Sequence, residues 1–500
     1  MTDNAIKFAA TLDRHQLPAG RPMSELSCQV SIEPNVKAGD GSKNATAANI
    51  CLIFDCSTSM MGRKFEAAVH TAKMIVDILH ERHSVSLIAF QSESHIVFEN
   101  AVPTEGERDF IKEQIDNLHS HLGGSTNMSA GIEMGMDVLS EGTADAEIMV
   151  ILSDGEPLFA ERVQMAAEVA SQRGIQLFAV GIGESYNADQ LLRLVAPSNG
   201  AVFGDSDADK ISEIFYDLIN RIDRIFATNV KLDFTFNERV HYRQIFKISP
   251  ERALFDSSTI NFITNNLELR VGNIEDNKVY EFLLRIDVDR FDVGSVELIT
   301  ARLRYDINHL GINGHTQEIV LTANFTESDS LQSGTNKKIE NAVKSATMLQ
   351  LSDDLMQACS NSDNDRALQT IDKLQQQCNE ENSTALQQHL DSMKGQLLKG
   401  QKISDKERND FLLASTTAPS KADLFDLILV DPGSDAIRLL REIRNATNKG
   451  LREITDIIHR RNSIVTVFKN QASAEKLQQR LANIGAKAMV QAREHVEEDT

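Results

Sequence analysis

The chain has 500 residues, which corresponds to about three to four domains at roughly 100–200 residues per domain. It has 51 Lys and Arg against 73 Asp and Glu residues, a net charge of −22. Because phosphate contacts need clustered positive charge, this balance argues against direct nucleic-acid binding by the chain as a whole. The 41% of hydrophobic residues is typical of a globular protein and excludes a disordered chain.

The targeting and redox features of the sequence indicate a cytoplasmic protein. The first thirty residues carry charges every few positions and contain no apolar core, so we expect neither a signal peptide nor a membrane anchor. No stretch reaches about 18 uninterrupted apolar residues, which predicts that the protein does not span a membrane. The five cysteines are odd in number and lack a C-x-x-C pair, a poor match to disulfides or zinc.

Residues 1–45 contain two strand-like runs, IKFAATL and LSCQVSI. From residue 46 to 226, short apolar runs alternate with amphipathic segments of helical length. This alternation is typical of parallel strands joined by crossover helices. We therefore predict a doubly wound parallel sheet with helices on both faces.

Residues 227–328 contain seven strand-like runs separated by turns, a pattern typical of an antiparallel β-sandwich. Two further strands precede the α/β segment. We expect one sandwich built from both flanks, with the α/β domain inserted into it, and two separate β pieces are the alternative.

The remaining sequence predicts two further regions. Residues 335–417 repeat apolar residues at helical spacing in a polar background, which indicates short antiparallel helical hairpins with a spacer or scaffold role. A polar linker with a Pro follows, and residues 424–491 form a small αβ segment. The predicted fold class is thus a multidomain α/β protein.

Oxygen-bearing side chains follow strands of the α/β segment. Asp55, Ser57 and Ser59 lie in FDCSTSMMG, Thr126 lies in the loop GGSTNMSAG, and Asp154 ends the run ILSD. In open α/β sheets, ligands bind at the carboxyl ends of strands, so we expect these loops to converge on one crevice. Two carboxylates and three hydroxyls form a hard-oxygen set that suits Mg²⁺ or Mn²⁺, with waters completing the coordination.

The order and spacing of these five residues resemble the metal-ion-dependent adhesion site of von Willebrand factor A domains. The resemblance implies a six-stranded, mostly parallel sheet and a Mg²⁺ ion, with Mn²⁺ or Ca²⁺ as alternatives, that binds an exposed Asp or Glu of a protein partner. That pattern usually reads D-x-S-G-S, and Thr58 stands at its Gly position. If that position requires a positive φ, a Thr would be strained there.

The segments around this domain are similar to those of a bacterial and archaeal group of intracellular von Willebrand A proteins. The similarity lies in openings of the type LDRHQLPAG and in the flanking strands and following helices. It implies a β-sandwich companion to the α/β domain.

The C-terminal segment differs in charge from the rest of the chain. Residues 421–491 contain 12 Lys and Arg against 8 Asp and Glu, so they carry +4 and the rest carries −26. The stretch AIRLLREIRNATNKGLREI resembles the C-terminal domain of the bacterial ribosomal stalk protein, which recruits translational GTPases. Matched by position, the resemblance implies a partner-binding face formed by Leu440, Arg441, Arg444, Gly450, Leu451 and Arg452.

The spacing of residues on this predicted helix favours protein docking. Leu440, Arg441 and Arg444 place an apolar strip beside an Arg pair, which suits an acidic protein helix. Solvated arginines above a leucine core are the alternative. The segment departs from the stalk pattern at Ala436 and Lys449. The fold also resembles the adaptor domain of Clp-type proteases, so a different client remains open.

The chemistry-bearing motifs indicate binding and not catalysis. The two His of HERH are three residues apart, whereas a zincin helix needs four, and no Ser/His/Asp or Cys/His motif is recognisable. We predict a cytoplasmic, non-enzymatic adaptor that binds two proteins. The alternatives are a substrate-presenting subunit of an AAA+ ATPase assembly of chelatase type, and a Mg²⁺-dependent self-assembling homo-oligomer.

Overall fold

The computed structural model divides the chain into two compact units, Met1–Ala418 and Pro419–Thr500. It describes residues 5–35, 46–142, 144–154, 159–183, 186–205, 211–255, 260–276, 278–327, 337–381, 384–416, 425–432, 438, 439, 443, 458, 463–468, 471–482 and 485–492. No helix in these ranges is long and apolar enough to cross a membrane.

The first unit begins with strands β1 (Ile6–Leu12), β2 (Gln16–Pro18) and β3 (Met23–Pro34). The elements of the α/β domain follow: β4 (Ala48–Asp55), α1 (Arg63–Ile78), β5 (Ser84–Phe90), β6 (Ser94–Ala101), α2 (Arg108–Asp116), α3 (Met128–Ser140), β7 (Ala146–Ser153), α4 (Ala160–Gln172), β8 (Gln176–Ile182), α5 (Ala188–Val195), β9 (Val202–Asp205) and α6 (Ile211–Asp223). A short 3₁₀ turn, Thr58–Met60, lies between β4 and α1.

The later elements are β10 (Ile225–Phe236), β11 (Val240–Ser249), β12 (Ala253–Phe255), β13 (Ile260–Ile263), β14 (Asn266–Glu275), β15 (Tyr280–Val288), β16 (Gly294–Ile307) and β17 (Ile312–Thr326). The helices α7 (Lys337–Ser360), α8 (Asn364–Glu381), α9 (Thr384–Leu398) and α10 (Asp405–Thr416) end the described part of this unit.

A six-stranded sheet of order β6-β5-β4-β7-β8-β9 forms the α/β domain. Its pairs are parallel except for the antiparallel edge pair of β5 with β6. The central strands β4 and β7 are buried along nearly their whole length, because apolar faces of helices cover both sides of the sheet. The predicted doubly wound sheet is confirmed, and β6 is a strand that the sequence reading missed.

Strands from both sides of the α/β domain build one sandwich. One sheet has the order β1-β3-β15-β11-β12 and the other β13-β14-β10-β16-β17-β2. The side chains between the sheets form one apolar core that includes the fully buried Phe234, Phe282 and Tyr305. The α/β domain is therefore inserted into the sandwich, and the alternative of two separate β pieces is wrong.

Two local predictions differ from the structure. One of the seven strand-like runs predicted in residues 227–328, LFDSSTINFIT (254–264), supplies β12 to one sheet and β13 to the other. Phe226, predicted as the last residue of the segment of alternating strands and helices, lies in β10. Ile225 and Phe226 are buried, and a short apolar run of this kind fits a helix end and a strand equally well.

The helices α7–α10 are part of the core of the first unit and not a spacer. Ile339 and Ala346 of α7 pack with Phe246 and Leu283 of the sandwich. Apolar residues of α8, α9 and α10 share one cluster with α3, α4 and α5 of the α/β domain. The Asn409 side chain of α10 accepts a hydrogen bond from the backbone N–H that begins α5, at 3.1 Å.

The second unit contains β18 (Phe425–Asp431), β19 (Ser463–Phe468), α11 (Gln471–Ala482) and β20 (Lys487–Ala492). The strands form an antiparallel sheet of order β19-β18-β20. Its apolar core includes Leu427, Leu439, Ile443 and Val465. This is the small α/β domain that the sequence predicts.

Candidate metal site

Two neighbouring parallel strands bring the predicted carboxylates together. Asp55 is the last residue of β4, and Asp154 follows the last residue of β7. Because β4 and β7 are parallel and adjacent, their carboxyl ends meet at one edge of the sheet. Both carboxylates are buried, with exposed fractions of 0% for Asp55 and 2% for Asp154.

Hydrogen bonds join four of the five predicted ligands into one chain. The hydroxyl of Ser153 donates to Asp55 Oδ2 at 2.6 Å, and the backbone N–H of Ser57 donates to Asp55 Oδ1 at 2.8 Å. The hydroxyls of Ser57 and Ser59 lie 3.0 Å apart, and Ser59 Oγ donates to Asp154 Oδ1 at 2.7 Å. We use the name crevice for the group that Asp55, Ser57, Ser59 and Asp154 form at this edge of the sheet.

The loop that carries Thr126 is bonded to the Asp55 loop. The backbone N–H of Gly123 donates to the Cys56 carbonyl at 2.7 Å, and Thr58 Oγ1 donates to the Gly124 carbonyl at 2.9 Å. Thr126 is half-buried two residues beyond Gly124. The third predicted loop therefore lies next to the crevice.

Thr58 is not strained. It begins the 3₁₀ turn, and the positive φ values of these two loops belong to Gly62, Gly123 and Gly124. Thr58 would be strained only if its backbone needed a positive φ, and its position does not require one. Its side chain instead ties two loops together.

Sequence reasoning missed Lys64, which lies in the first turn of α1. Its ammonium Nζ lies 2.5 Å from Asp154 Oδ2. The side chain of Lys64 is 31% exposed and that of Asp154 is 1% exposed. The sequence gives one weak signal for this contact: Lys64, in GRKF, comes shortly after the serine loop. A basic residue at such a position is common on the solvated face of a helix.

Burial raises the pKa of Asp55, and the nearby charge of Asp154 raises it further, although hydrogen bonds from Ser153 and Ser57 oppose the shift. A cation in the crevice would relieve this cost. Burial, together with the Asp55 carboxylate, also raises the pKa of the Cys56 thiol to about 12, so Cys56 stays protonated at neutral pH and packs as a small apolar residue.

The chemistry of the donor set fits a hard divalent cation. Within the described ranges, no three His, Cys, Asp or Glu side chains converge on one point. The set therefore depends on the Ser57 and Ser59 hydroxyls beside two carboxylates, with Thr126 on the neighbouring loop, which suits Mg²⁺ with bound waters and does not suit zinc. Asp55, Ser57, Ser59, Thr126 and Asp154 are the residues that would hold it.

Two large apolar side chains close to these loops in the chain are exposed. Met61 follows the serine turn and is 54% exposed, and Phe159 precedes α4 and is 66% exposed. Phe159 has left-handed backbone angles, with φ 61° and ψ 64°, which is rare for an aromatic residue. Sequence reasoning did not identify either residue.

The predicted face of the C-terminal domain lies outside the described residues, namely Leu440, Arg441, Arg444, Gly450, Leu451 and Arg452. Around them, Leu439 and Ile443 are buried in the core of the second unit, whereas Arg438 is exposed. The face itself stays a prediction.

Comparisons with protein-family models match two parts of the chain. Residues 49–217 match the von Willebrand factor type A domain, and residues 425–491 match the ribosomal protein L7/L12 C-terminal domain. An uncharacterized protein of Synechocystis is 25% identical over 311 residues, covering 60% of this chain and 71% of the relative.

Two further relatives match over single domains. The inter-alpha-trypsin inhibitor heavy chain H2 of Mesocricetus auratus is 25% identical over 37% of this chain and 21% of the relative. The large ribosomal subunit protein bL12 of Rhizobium johnstonii is 36% identical over 13% of this chain and 53% of the relative. The chain thus spans about a fifth and about half of these two relatives.

Solved structures share the fold of the first unit. A von Willebrand factor type A protein from Catenulispora acidiphila has a TM-score of 0.71 at 17% identity, covering 83% of this chain and 98% of that chain. The ArnB paralog VWA2 from Sulfolobus acidocaldarius has a TM-score of 0.55 at 12% identity, with 83% and 99% coverage. Residues 49–217 are therefore a von Willebrand factor type A domain, and residues 425–491 are a domain of the L7/L12 C-terminal type.

Proposed function

We propose that this protein is a non-enzymatic adaptor whose von Willebrand factor type A domain binds an exposed Asp or Glu of a protein partner through Mg²⁺, with Mn²⁺ or Ca²⁺ as alternatives. The observation that carries the proposal is the hydrogen-bonded chain from Asp55 through Ser57 and Ser59 to Asp154, with links of 2.7–3.0 Å. It places two buried carboxylates and two hydroxyls at one edge of the sheet.

The charge of this site favours an outside acidic ligand. Asp55, Asp154 and the neighbouring Lys64 together carry −1. With a bound divalent cation this group carries +1, also when the ammonium no longer contacts Asp154, because Lys64 stays beside the site in the first turn of α1. Mg²⁺ prefers six oxygen ligands and keeps waters readily, which leaves an exchangeable position for a partner's carboxylate. Charge neutralisation and the open position both favour a carboxylate over a neutral ligand.

Exposed apolar side chains support a protein partner over a small acid. Met61 and Phe159 are near the crevice in the chain and expose more than half of their surface. Protein interfaces combine aromatic and Met anchors with a few charged contacts. A peptide or domain that places an acidic residue between apolar residues matches this surface.

The L7/L12-type domain is proposed to bind a second protein. Its segment 421–491 carries +4 in a chain of −22, which favours an acidic partner surface. A translational GTPase and an AAA+ ATPase are candidate partners, and the cytoplasm is the proposed location. The predicted contact residues are Leu440, Arg441, Arg444, Gly450, Leu451 and Arg452.

The test is a quantitative capture of proteins from an extract of the source cells on the immobilised full chain, with Mg²⁺ or with EDTA. Wild type is compared with Asp154→Asn and with Asp137→Asn, which changes the same group at an exposed position of α3. We expect one set of proteins to be lost with EDTA and with Asp154→Asn, but kept with Asp137→Asn.

Retention of every captured protein in EDTA contradicts the proposal. The alternatives give different results in the same experiment. Metal-dependent capture of an AAA+ ATPase favours the substrate-presenting subunit. Metal-dependent capture of further copies of this chain favours self-assembly. A size-exclusion elution volume that changes with Mg²⁺ would support the same alternative.

A further inference from the structure

The two carboxylate oxygens of Asp154 have different partners. Oδ1 accepts a hydrogen bond from Ser59 at 2.7 Å, and Oδ2 lies 2.5 Å from the Lys64 ammonium. The carboxylate is 1% exposed, whereas the Lys64 side chain is 31% exposed. One member of this ion pair is therefore fixed in the crevice, and the other reaches it from solvent.

The position of Lys64 is costly for the helix to which it belongs. Lys64 is the second residue of α1, where the positive end of the helix dipole disfavours a cation. Its contact with Asp154 offsets this cost. The attraction to Asp154, and not the helix dipole, therefore favours the ammonium at this position.

The end of the Lys64 side chain lies against the backbone of Gly183, which follows β8. Gly183 has a φ of +90°, and a Cβ added there would lie 2.7 Å from Lys64 Cε and 3.2 Å from Nζ. The bare glycine backbone leaves the space that the end of the lysine side chain fills. The ammonium therefore lies between the first turn of α1, which carries Lys64, and the residues that follow β7 and β8.

We propose that Lys64 is a tethered cation that neutralises Asp154 in the metal-free chain and is displaced from it by a divalent ion, which makes the site selective against Na⁺ and K⁺. The inference rests on the metal site of the proposed function and adds a specificity-determining residue to it.

Selectivity follows from charge and tethering. A Na⁺ or K⁺ ion carries the same charge as the ammonium but must compete with a group held at an effective concentration in the millimolar range or above. A divalent ion carries twice that charge and attracts both Asp55 and Asp154 more strongly at the same distance. The ammonium therefore admits divalent ions and excludes monovalent ones.

Lys73 provides a matched control on the same helix. Its Nζ lies 2.5 Å from Asp116 Oδ1 and its side chain is 30% exposed, so its ion pair has the same length and nearly the same exposure as that of Lys64. Asp116 is 54% exposed and does not belong to the crevice. A change in the reactivity of Lys64 that Lys73 does not show is therefore specific to the site.

The first experiment measures acetylation of Lys64 and Lys73 by trace acetic anhydride in the full chain, using mass spectrometry. We expect saturating Mg²⁺ to raise the labelling rate of Lys64 severalfold and to leave Lys73 unchanged. NaCl or KCl that supplies the same concentration of positive charge is expected to change neither labelling rate. Labelling of Lys64 that Mg²⁺ does not change, or that NaCl raises equally, overturns the inference.

The second experiment titrates Mg²⁺ by calorimetry into wild type, Lys64→Met and Lys73→Met. Methionine keeps an apolar side chain against Gly183 and removes the charge. We expect Lys64→Met to bind Mg²⁺ about tenfold or more tightly, since it removes one competing unit charge, and Lys73→Met to match wild type. Equal affinities for wild type and Lys64→Met contradict the inference while the proposed function stands. An absence of Mg²⁺ binding in all three proteins contradicts both.

Discussion

Two groups of charged side chains in the first unit differ in how their charges balance. Among the described residues, the crevice carboxylates Asp55 and Asp154 are accompanied by Lys64, which gives a net −1. The second group, which we call the junction cluster, contains Arg221, Lys247, Glu251 and Glu275, a net charge of zero. Arg221 belongs to α6 of the α/β domain, whereas the other three belong to the sandwich part of the chain.

Every charge of the junction cluster has a partner within the protein. Arg221 contacts Glu251 and Glu275 at 2.8 Å each, and Lys247 Nζ lies 3.1 Å from Glu251. Burial raises the pKa of Glu251, but attraction to Arg221 and Lys247 outweighs burial and brings it to about 2. Arg221 also lies over the Phe178 ring, 5.6 Å from its centroid.

The comparison separates a structural cluster from a candidate binding site. A balanced cluster satisfies its own charges and needs no outside ligand. Among the described residues, Lys64 balances only one of the two crevice carboxylates. Burial and the Asp154 charge raise the pKa of Asp55. The excess charge, not the number of buried ionisable groups, makes the crevice the candidate cation site.

The largest expected effect is on the junction cluster. Arg221→Met leaves Glu275, which is buried, without its main partner. We expect the free energy of unfolding of the first unit to fall by about 3 kcal/mol or more. Urea unfolding of the full chain measures this change. A loss below about 1 kcal/mol would show that the cluster does not join α6 to the sandwich in the way described.

Asp154→Asn changes the crevice and is expected to act on both stability and metal binding. It removes the charge that pairs with Lys64, which costs about 1 kcal/mol because the lysine is partly exposed. Mg²⁺ affinity is expected to fall by at least about tenfold, since one of two ligand carboxylates is lost. Asp137→Asn, the surface control, is expected to change neither quantity.

In the metal-free chain, Asp55→Asn is expected to raise the free energy of unfolding, whereas Asp154→Asn lowers it. Burial raises the pKa of Asp55, so its contribution to stability is complete below the unfolded pKa near 3.8 and is lost as the pH rises through the folded pKa. An Asn cannot ionise, and the hydrogen bond from Ser57 N–H to Oδ1 can remain. The melting temperature of the variant should therefore exceed that of wild type at pH 7 in EDTA.

The difference between Asp55→Asn and wild type should shrink as the pH falls towards 4, because wild-type Asp55 becomes protonated. Thermal melts from pH 4 to pH 8 measure this trend. A variant that melts below wild type at pH 7, by the same margin at every pH, contradicts the assignment of Asp55 as a destabilising buried carboxylate.

The sequence predicts much of the fold because burial leaves a regular pattern in it. The runs NICLIFDC and EIMVILS are continuously apolar, as expected for central strands covered on both faces. Strand β6, with the sequence SHIVFENA, escapes this reading because it lies at an edge and is only half-buried. Apolar periodicity also does not say which element covers a helix, so the packing of α8–α10 against the α/β domain could not be predicted.

The site is predictable to a similar extent. Asp55, Ser57 and Ser59 are close in sequence, and the ends of parallel strands bring Asp154 to them. The contact of Lys64 with Asp154 joins residues 90 positions apart. Nothing in local sequence distinguishes Lys64 from Lys73, which has the same kind of ion pair on the same helix but faces a surface carboxylate.

The most direct test of the central claim is a calorimetric titration of Mg²⁺ into the 500-residue chain, beside Asp55→Asn, Asp154→Asn and the control Asp137→Asn. The account predicts saturable binding of one Mg²⁺ ion by wild type and by Asp137→Asn, and its loss or strong weakening in the other two variants. An absence of Mg²⁺ binding by wild type, or equal binding by Asp154→Asn, would contradict it.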